Sequence, residues 1–229
     1  MPDKTALQPK MTLVAAIRAV YRQHRSEIEK VMEGARKTGE DPEWIWEGLL
    51  RSAATLGGVR GIKLLEDPEL HALVRWGALE KLDEMEIEER LRGALKAATV
   101  RWVDQKVPFL LENFRLVKTM GGPRKAQEHL DALPTREGIM DFLRKFRGIG
   151  PKYSRNIMMD GYHPKFRNSI AIDLRIQKIL QKAGRPFGSY KGYGEAEQFL
   201  LGVAREVGIE GWVLDRLLFL YNDEILNRI

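Results

Sequence analysis

The sequence predicts an all-α protein of about ten helices joined by short connections. Apolar residues recur with helical spacing in almost every segment, beginning with Leu13, Ile17 and Val20. No segment shows the sustained alternation of apolar and polar residues that is typical of a β-strand. Hydrophobic residues make up 44% of the 229 positions, which is enough for a buried core.

Local signals mark the boundaries of the first helices. The first helix should end near Gly39. The Asp-Pro pair at 41–42 predicts a second start, with the aspartate as N-cap and the proline in the first helical position. This second helix should stop at the Leu-Gly-Gly sequence 56–58, and the Asp-Pro pair at 67–68 predicts a third start.

The middle of the chain carries a long helical pattern over 87–119, which Pro108 should divide or kink. A loop is expected over 184–194, where glycine, proline, serine and tyrosine are frequent. Further helices are predicted over residues 124–133, 136–146, 174–180, 195–207 and 212–226.

Composition excludes several kinds of site. The chain has no cysteine, which rules out disulfides, cysteine-held zinc or iron–sulfur clusters and thiol nucleophiles. The four histidines are scattered without metal-site spacing, so no metal site is expected. No apolar run approaches the roughly 20 residues that span a bilayer, which predicts a soluble, cytoplasmic protein without membrane contact. The net charge of +6 favours a polyanionic partner only weakly.

The most informative segment is 142–160, in which one helix runs into Gly148-Ile149-Gly150 and a second begins at Pro151. Glycines permit a tight turn with positive φ, and amides at a helix N-terminus form a site for a phosphate. The turn alone can also be a simple chain reversal. Basic residues around it favour DNA-phosphate binding, chiefly by Arg147 and Arg155, with Arg144, Lys145, Lys165 and Arg167 nearby.

This segment resembles the helix-hairpin-helix/Gly-Pro-Asp superfamily of DNA glycosylases. A loop over 161–173 ends in Asp173 before a helix, as in that family, and the close match covers about 140–180. The resemblance implies one glycosylase domain over 12–229, with two helical lobes and an active-site cleft between them. One lobe is expected over about 55–168, with the hairpin at 142–160, and the other over about 12–54 plus 169–229.

Lys152 and Asp173 are the catalytic residues that the resemblance implies. Relatives with a lysine directly behind the hairpin remove a base and also cleave the strand. A neutral Lys152 amine attacks C1′ of the sugar, and its place at a helix N-terminus near other cations favours loss of its proton. The carboxylate of Asp173 stabilises positive charge on the sugar. Each residue alone also has a simpler interpretation, Lys152 as a phosphate contact and Asp173 as a helix N-cap.

The damaged base must leave the stack and enter a pocket. By comparison with the family, Leu56 is a candidate wedge, and Arg60 a candidate contact to the partner base. On the C-terminal helix, Trp212 or Phe219 could stack on the base and Asp215 could bind its edge. The alternative is that Leu56 and both aromatic residues belong to the core.

The resemblance implies a base-excision enzyme acting on double-stranded DNA that contains a damaged base. Lysine-bearing relatives for oxidised pyrimidines hold an iron–sulfur cluster on cysteines, so 8-oxoguanine is the first expectation here. An oxidised-pyrimidine enzyme that has lost its cluster is the alternative. A hydrolysis-only glycosylase for alkylated or mismatched bases and a non-catalytic DNA-binding protein remain open. A monomer is expected, associated with the nucleoid in a prokaryote. No cofactor is expected, apart from a structural monovalent cation that the hairpin could hold.

Overall fold

The computed structural model describes residues 4–188 and 190–229, which contain α-helices and short 3-10 turns and no β-strand. The prediction of an all-α fold is confirmed. The helices are α1 (Lys4–Glu40), α2 (Trp44–Thr55), α3 (Lys63–Glu66), α4 (Pro68–Val74), α5 (Trp76–Leu79), α6 (Glu84–Ala97), α7 (Val103–Thr119), α8 (Pro123–Ala132), α9 (Arg136–Leu143), α10 (Pro151–Asp160), α11 (Leu174–Lys182), α12 (Tyr193–Val207), α13 (Gly211–Leu220) and α14 (Asn222–Arg228). The 3-10 turns are Val59–Ile62, Pro164–Phe166 and Tyr190–Gly192.

The chain forms two compact units. The hairpin unit is Thr38–Gly161, and the terminal unit consists of the chain up to Lys37 together with Tyr162–Ile229. The sequence placed these boundaries at 54/55 and 168/169. Helix α2 lies in the hairpin unit because it packs on α7, α8 and α10 there.

The hairpin unit is organised around three aromatic side chains. Trp76 stacks on Phe114 with ring centroids 4.4 Å apart, and Trp46 meets both rings edge-on. The indole N–H of Trp46 donates to the Val74 carbonyl oxygen at 2.8 Å, so this fully buried tryptophan keeps a hydrogen bond. These contacts fix α2 against α4, α5 and α7.

The two Asp-Pro pairs behave differently. Asp67 caps α4 as predicted, since its carboxylate accepts the amides of Glu69 and Leu70. The pair at 41–42 instead forms a turn before α2, in which the Asp41 carboxylate accepts the Glu43 amide at 2.8 Å. Helix α2 begins only at Trp44, so the prediction of Asp41 as its N-cap is wrong by two residues.

The long pattern over 87–119 is divided, but not at Pro108. Helix α6 ends at Ala97, and the chain reverses through Thr99 and Trp102, whose φ values are +54° and +56°. Pro108 lies inside α7 without ending it, because it removes only one backbone donor near the start of that helix. Neither turn residue is a glycine, so the sequence carried no stop signal at this point.

In the terminal unit the predicted helix over 212–226 is interrupted at Tyr221, which separates α13 from α14. The ring of Tyr221 stacks on His24 at 3.8 Å, and His24 is itself a non-helical residue inside α1. Across the described parts of the chain, no helix combines the length and apolar character that crossing a membrane requires. The same residues contain no group of three or more side chains arranged to hold a metal ion.

Candidate functional site

The hairpin between α9 and α10 is tight because of one backbone conformation. Gly148 has φ of +82°, in the left-handed region that favours glycine. Gly150 has φ of −101° and is the N-cap of α10, with Pro151 in the first helical position as predicted. A Cβ on Gly150 would meet no atom of the described residues within 4 Å, apart from those of its two neighbours in the chain. Its missing side chain therefore leaves the approach to the α10 N-terminus open.

The three hairpin residues do not contribute equally to an anion site. The Ile149 side chain is buried, and its amide donates to the Phe146 carbonyl oxygen at 3.2 Å. The amides of Gly148 and Gly150 have no acceptor among the described residues. Ile149 thus anchors the turn, and the two glycine amides are the donors available for a phosphate.

Arg147 directly precedes the hairpin glycines, and two hydrogen bonds hold its backbone. The buried Asn113 side chain accepts the Arg147 amide at 2.7 Å and donates to its carbonyl oxygen at 3.0 Å. The Arg147 side chain is 57% exposed, with Nε 3.2 Å from a Glu112 oxygen and the guanidinium over the Phe109 ring. An exposed guanidinium on the residue directly before the open amides is suited to bind a DNA phosphate.

Arg155, the other predicted phosphate contact, lies inside the protein. It is 6% exposed, and one guanidinium nitrogen donates to the Pro151 carbonyl oxygen at 2.9 Å. Because α10 is amphipathic and position 155 falls on its buried face, this arginine has an internal partner in place of a surface contact.

Lys152 lies in the first turn of α10 and is half-buried. Its Nζ lies 4.1 Å from the centroid of the Tyr153 ring, a cation–π distance. The Tyr153 hydroxyl is 3.4 Å from the Thr55 hydroxyl at the end of α2. The Tyr153 ring thus holds the Lys152 amine in the first turn of the helix that follows the hairpin.

The predicted wedge residues follow directly after α2. Leu56 is the C-cap of α2, and its half-buried side chain lines a small pocket with Phe109 and Ile149. Arg60 is exposed in the 3-10 turn Val59–Ile62. We call residues 56–60 the α2 loop.

Sequence reasoning missed two residues beside the α2 loop. Trp102 is 54% exposed, and its ring lies against Gly57, where a Cβ would come within 2.2 Å of it. Lys106 is 1% exposed and donates from Nζ to the Leu56 carbonyl oxygen at 2.7 Å. Burial lowers the Lys106 pKa to about 8. The helical pattern over 87–119 hid the turn at Trp102 and gave no sign that Lys106 is internal.

In the terminal unit, the apolar stretch that leads to Asp173 is held by three buried polar side chains. The amide of Ile170 donates to Glu197 at 3.0 Å, and the amide of Ala171 donates to Asp215 at 2.7 Å. The Tyr193 hydroxyl accepts the Ile172 amide and donates to the Ile170 carbonyl oxygen. The backbone that leads into Asp173 is thus held in place by buried hydrogen bonds at each of the three preceding residues.

Asp173 is the N-cap of α11. One carboxylate oxygen accepts the amides of Arg175 and Ile176, at 2.9 and 3.0 Å. The second oxygen has no donor among the described residues. The capping interpretation is therefore confirmed, and it leaves one oxygen of the half-buried carboxylate available for chemistry.

The three base-pocket candidates on α13 separate by burial. Trp212 is 1% exposed with its ring edge-on to Tyr162, and Asp215 is 3% exposed and bound to the Ala171 amide. Both have internal partners in place of the base contacts that the sequence suggested. Phe219 is 37% exposed, and the Arg175 guanidinium lies 4.3 Å from its ring centroid. Phe219 is the only one of the three candidates whose side chain is exposed.

Comparison with known proteins gives two different results. No protein-family model matches the sequence, and no curated protein matches it. Solved structures do match. The 8-oxoguanine DNA glycosylase of Methanocaldococcus jannaschii is 18% identical with a TM-score of 0.72, covering 92% of this chain and 93% of that one. The 8-oxoguanine DNA glycosylase of Thermotoga maritima is 18% identical with a TM-score of 0.72, covering 93% and 96%.

A third structure is the M. jannaschii 8-oxoguanine glycosylase/lyase in complex with a 15mer DNA containing 8-oxoguanine. It is 16% identical with a TM-score of 0.74, and the match covers 91% of this chain and 96% of that one. The chain shares the all-helical fold of these glycosylases over nearly its full length. At this identity the likeness shows the fold, and function has to be argued from the residues.

Proposed function

We propose that this protein is a DNA glycosylase that also cleaves the strand, with Lys152 as nucleophile and Asp173 as the assisting carboxylate. The observation that carries the proposal is the place of Lys152, in the first turn of α10 and directly behind the open amides of Gly148 and Gly150. A phosphate bound to these amides puts the sugar of a neighbouring nucleotide within reach of that amine.

The first step breaks the bond between base and sugar. The neutral Lys152 amine attacks C1′, and the base leaves with the electrons of the glycosidic bond and takes up a proton. Positive charge develops on the sugar as this bond breaks, and the free oxygen of Asp173 stabilises it. Both Asp173 oxygens are used, one for the helix cap and one for the reaction.

The second step cleaves the strand. The sugar ring opens as O4′ takes a proton and leaves C1′, which gives an iminium ion between Lys152 and C1′. Loss of a proton from C2′ then allows the C3′–O3′ bond to break, and the 3′ phosphate departs. Water hydrolyses the remaining imine and returns the free Lys152 amine.

The base proposed as substrate is 8-oxoguanine. Support comes from the similar structures, which are 8-oxoguanine DNA glycosylases, one of them solved with DNA containing that base. The exposed part of the Phe219 side chain offers a surface on which we propose that a flipped base stacks. We further propose that the protein is a monomer that acts on double-stranded DNA containing a damaged base and needs no cofactor, apart from a structural monovalent cation at the hairpin.

Borohydride trapping tests the lyase. Wild-type protein is incubated with a duplex containing one 8-oxoguanine, and borohydride reduces the iminium ion to a stable protein–DNA adduct. The adduct is expected to be absent in Lys152→Ala. Lys125→Ala is the matched control, because Lys125 also lies in the first turn of a helix that begins with proline, and it is paired with Glu128. This control should trap like the wild type.

The other outcomes identify the alternatives. Base release without an adduct or strand cleavage means a hydrolysis-only glycosylase. Duplex binding with no preference for damage and no base release, on a panel of oxidised, alkylated and mismatched bases, means a non-catalytic binding protein. Either result overturns the assignment of Lys152 as nucleophile.

A further inference from the structure

Within the described part of the chain, Lys106 is a buried cation that has no acidic partner. Its side chain is 1% exposed. Among the described residues, Nζ donates to the Leu56 carbonyl oxygen at 2.7 Å and lies 5.7 Å from the centroid of the Trp102 ring. Lysine is almost never fully buried unless it is paired, because removing the charge from water costs free energy. A leucine or methionine would fill this position on α7 at less cost.

The contact that Lys106 makes is at the base of the α2 loop. Two successive carbonyl oxygens of this loop are held by cationic side chains, Leu56 by Lys106 and Gly57 by Arg101 at 3.0 Å. Gly57 has φ of +82°, and the Trp102 ring fills the space beside it. Residues 101–106 thus fix the backbone from which the α2 loop projects.

Helix capping alone does not explain this arrangement. A lysine at the surface can bind the last carbonyl groups of a helix while its charge stays in water. Lys106 makes the same contact from the interior, on the face of α7 that also carries Asn113 and lines the pocket with Leu56. The interior route places the donor on the buried side of the loop, while residues 57–60 of the loop are exposed.

We propose that Lys106 is a positioning residue that holds the α2 loop in the form that enters the duplex when a damaged nucleotide is turned out. The inference rests on the proposed function, since it assigns a role within the same reaction. Lys106 acts only through the Leu56 carbonyl group. Its effect should therefore be confined to the extrusion of the base and spare the chemistry at Lys152.

The test compares substrates that need extrusion with substrates that do not. Single-turnover excision by Lys106→Met is measured on 8-oxoguanine in a matched duplex and in single-stranded DNA. The duplex rate should fall by about tenfold or more, while the single-strand rate and borohydride trapping on single-stranded abasic DNA stay at wild-type level. Thermal melting of the variant should be at or above the wild-type temperature. Lys106→Arg, which keeps a donor, should recover part of the duplex rate.

Ser52→Ala is the matched control. Ser52 is buried in the same pocket and donates to the Gly48 carbonyl oxygen within α2, so its loss removes a buried hydrogen bond without touching the loop. Its ratio of duplex to single-strand rates should match that of the wild type.

An unchanged ratio of duplex to single-strand excision rates in Lys106→Met overturns the inference and leaves the proposed function standing. An equal loss on both substrates also overturns it, because a merely structural role lowers both rates together. A wild type that excises no base from either substrate and forms no adduct counts against the proposed function, and the inference fails with it.

Discussion

The carboxylate of Asp215 accepts the buried backbone amide of Ala171 at 2.7 Å, two residues before Asp173. This hydrogen bond connects α13 to the short stretch that delivers the candidate catalytic carboxylate. Glu197 and Tyr193 hold the adjacent residues in the same way. The position of Asp173 therefore depends on side chains that are distant in sequence and lie in the same unit.

Replacement of Asp215 by alanine should lower both stability and activity. The Ala171 amide would be left buried without an acceptor, which costs about 1–3 kcal/mol of unfolding free energy. Urea unfolding measures this loss, and single-turnover excision should slow as Asp173 loses its fixed position. Asp215→Asn keeps an acceptor oxygen and should lose less. Exposed Asp223→Ala is the control, and a loss of similar size there would contradict the argument.

Alanine substitutions at the two hairpin glycines should have different effects, one on stability and the other on DNA binding. Gly148→Ala forces a side chain into φ of +82°, which costs roughly 1–2 kcal/mol of stability. Gly150→Ala places its methyl group in open space at an ordinary φ, so unfolding should change little. That methyl group would lie where a phosphate approaches, and duplex affinity should fall. Fluorescence anisotropy with a labelled duplex measures affinity, and an unchanged Gly150→Ala affinity would exclude the hairpin as a phosphate site.

Much of the candidate site could be predicted because the sequence signals for the hairpin and for Asp173 are local. Pro151 in the first helical position of α10 and Asp173 as an N-cap each depend on a few neighbouring residues and the geometry of one helix end. The hairpin turn followed in the same way from the left-handed φ that Gly148 can adopt. These positions carry the candidate chemistry, so the sequence led directly to them.

The remainder depended on tertiary packing that no local pattern shows. Thr99 and Trp102 adopt left-handed backbone without glycine, so the turn between α6 and α7 went unpredicted. Lys106 is a charged residue, which a sequence pattern assigns to the surface, but its side chain is buried. Asp215 looked available to a base, although the Ala171 amide, 44 residues away in sequence, is its partner. Such pairings exist only once distant segments meet.

Arg147 should contribute one phosphate contact, which can be measured from the dependence of duplex affinity on salt concentration. Its side chain is 57% exposed, and the residue directly precedes the hairpin glycines in sequence. Arg147→Ala should weaken binding to any duplex, damaged or not, and reduce the slope of log affinity against log salt concentration by about 1. Arg25→Ala removes an exposed arginine paired with Glu29 on α1 and serves as the control. Equal slopes in Arg147→Ala and wild type would show that this guanidinium does not reach DNA.

The stability of the protein should rise with pH in a window set by Lys106. Burial lowers the Lys106 pKa from 10.5 to about 8, so between these values the unfolded chain binds more protons than the folded one. The free energy of unfolding must then increase with pH from about 8 to about 10.5. The whole effect amounts to at most roughly 3 kcal/mol, with the full cost of the buried charge present below the window and none above it.

Other lysines and the tyrosines also titrate in this range, so the measurement has to be a difference. Urea unfolding of the wild type and of Lys106→Met is followed at intervals across the window. Lys106→Met should be the more stable protein below pH 8, because it carries no buried charge, and its advantage should shrink as pH rises. A difference between the two proteins that stays constant with pH would mean that the Lys106 ammonium is not desolvated, and the buried donor beneath the α2 loop would then be an ordinary solvated lysine.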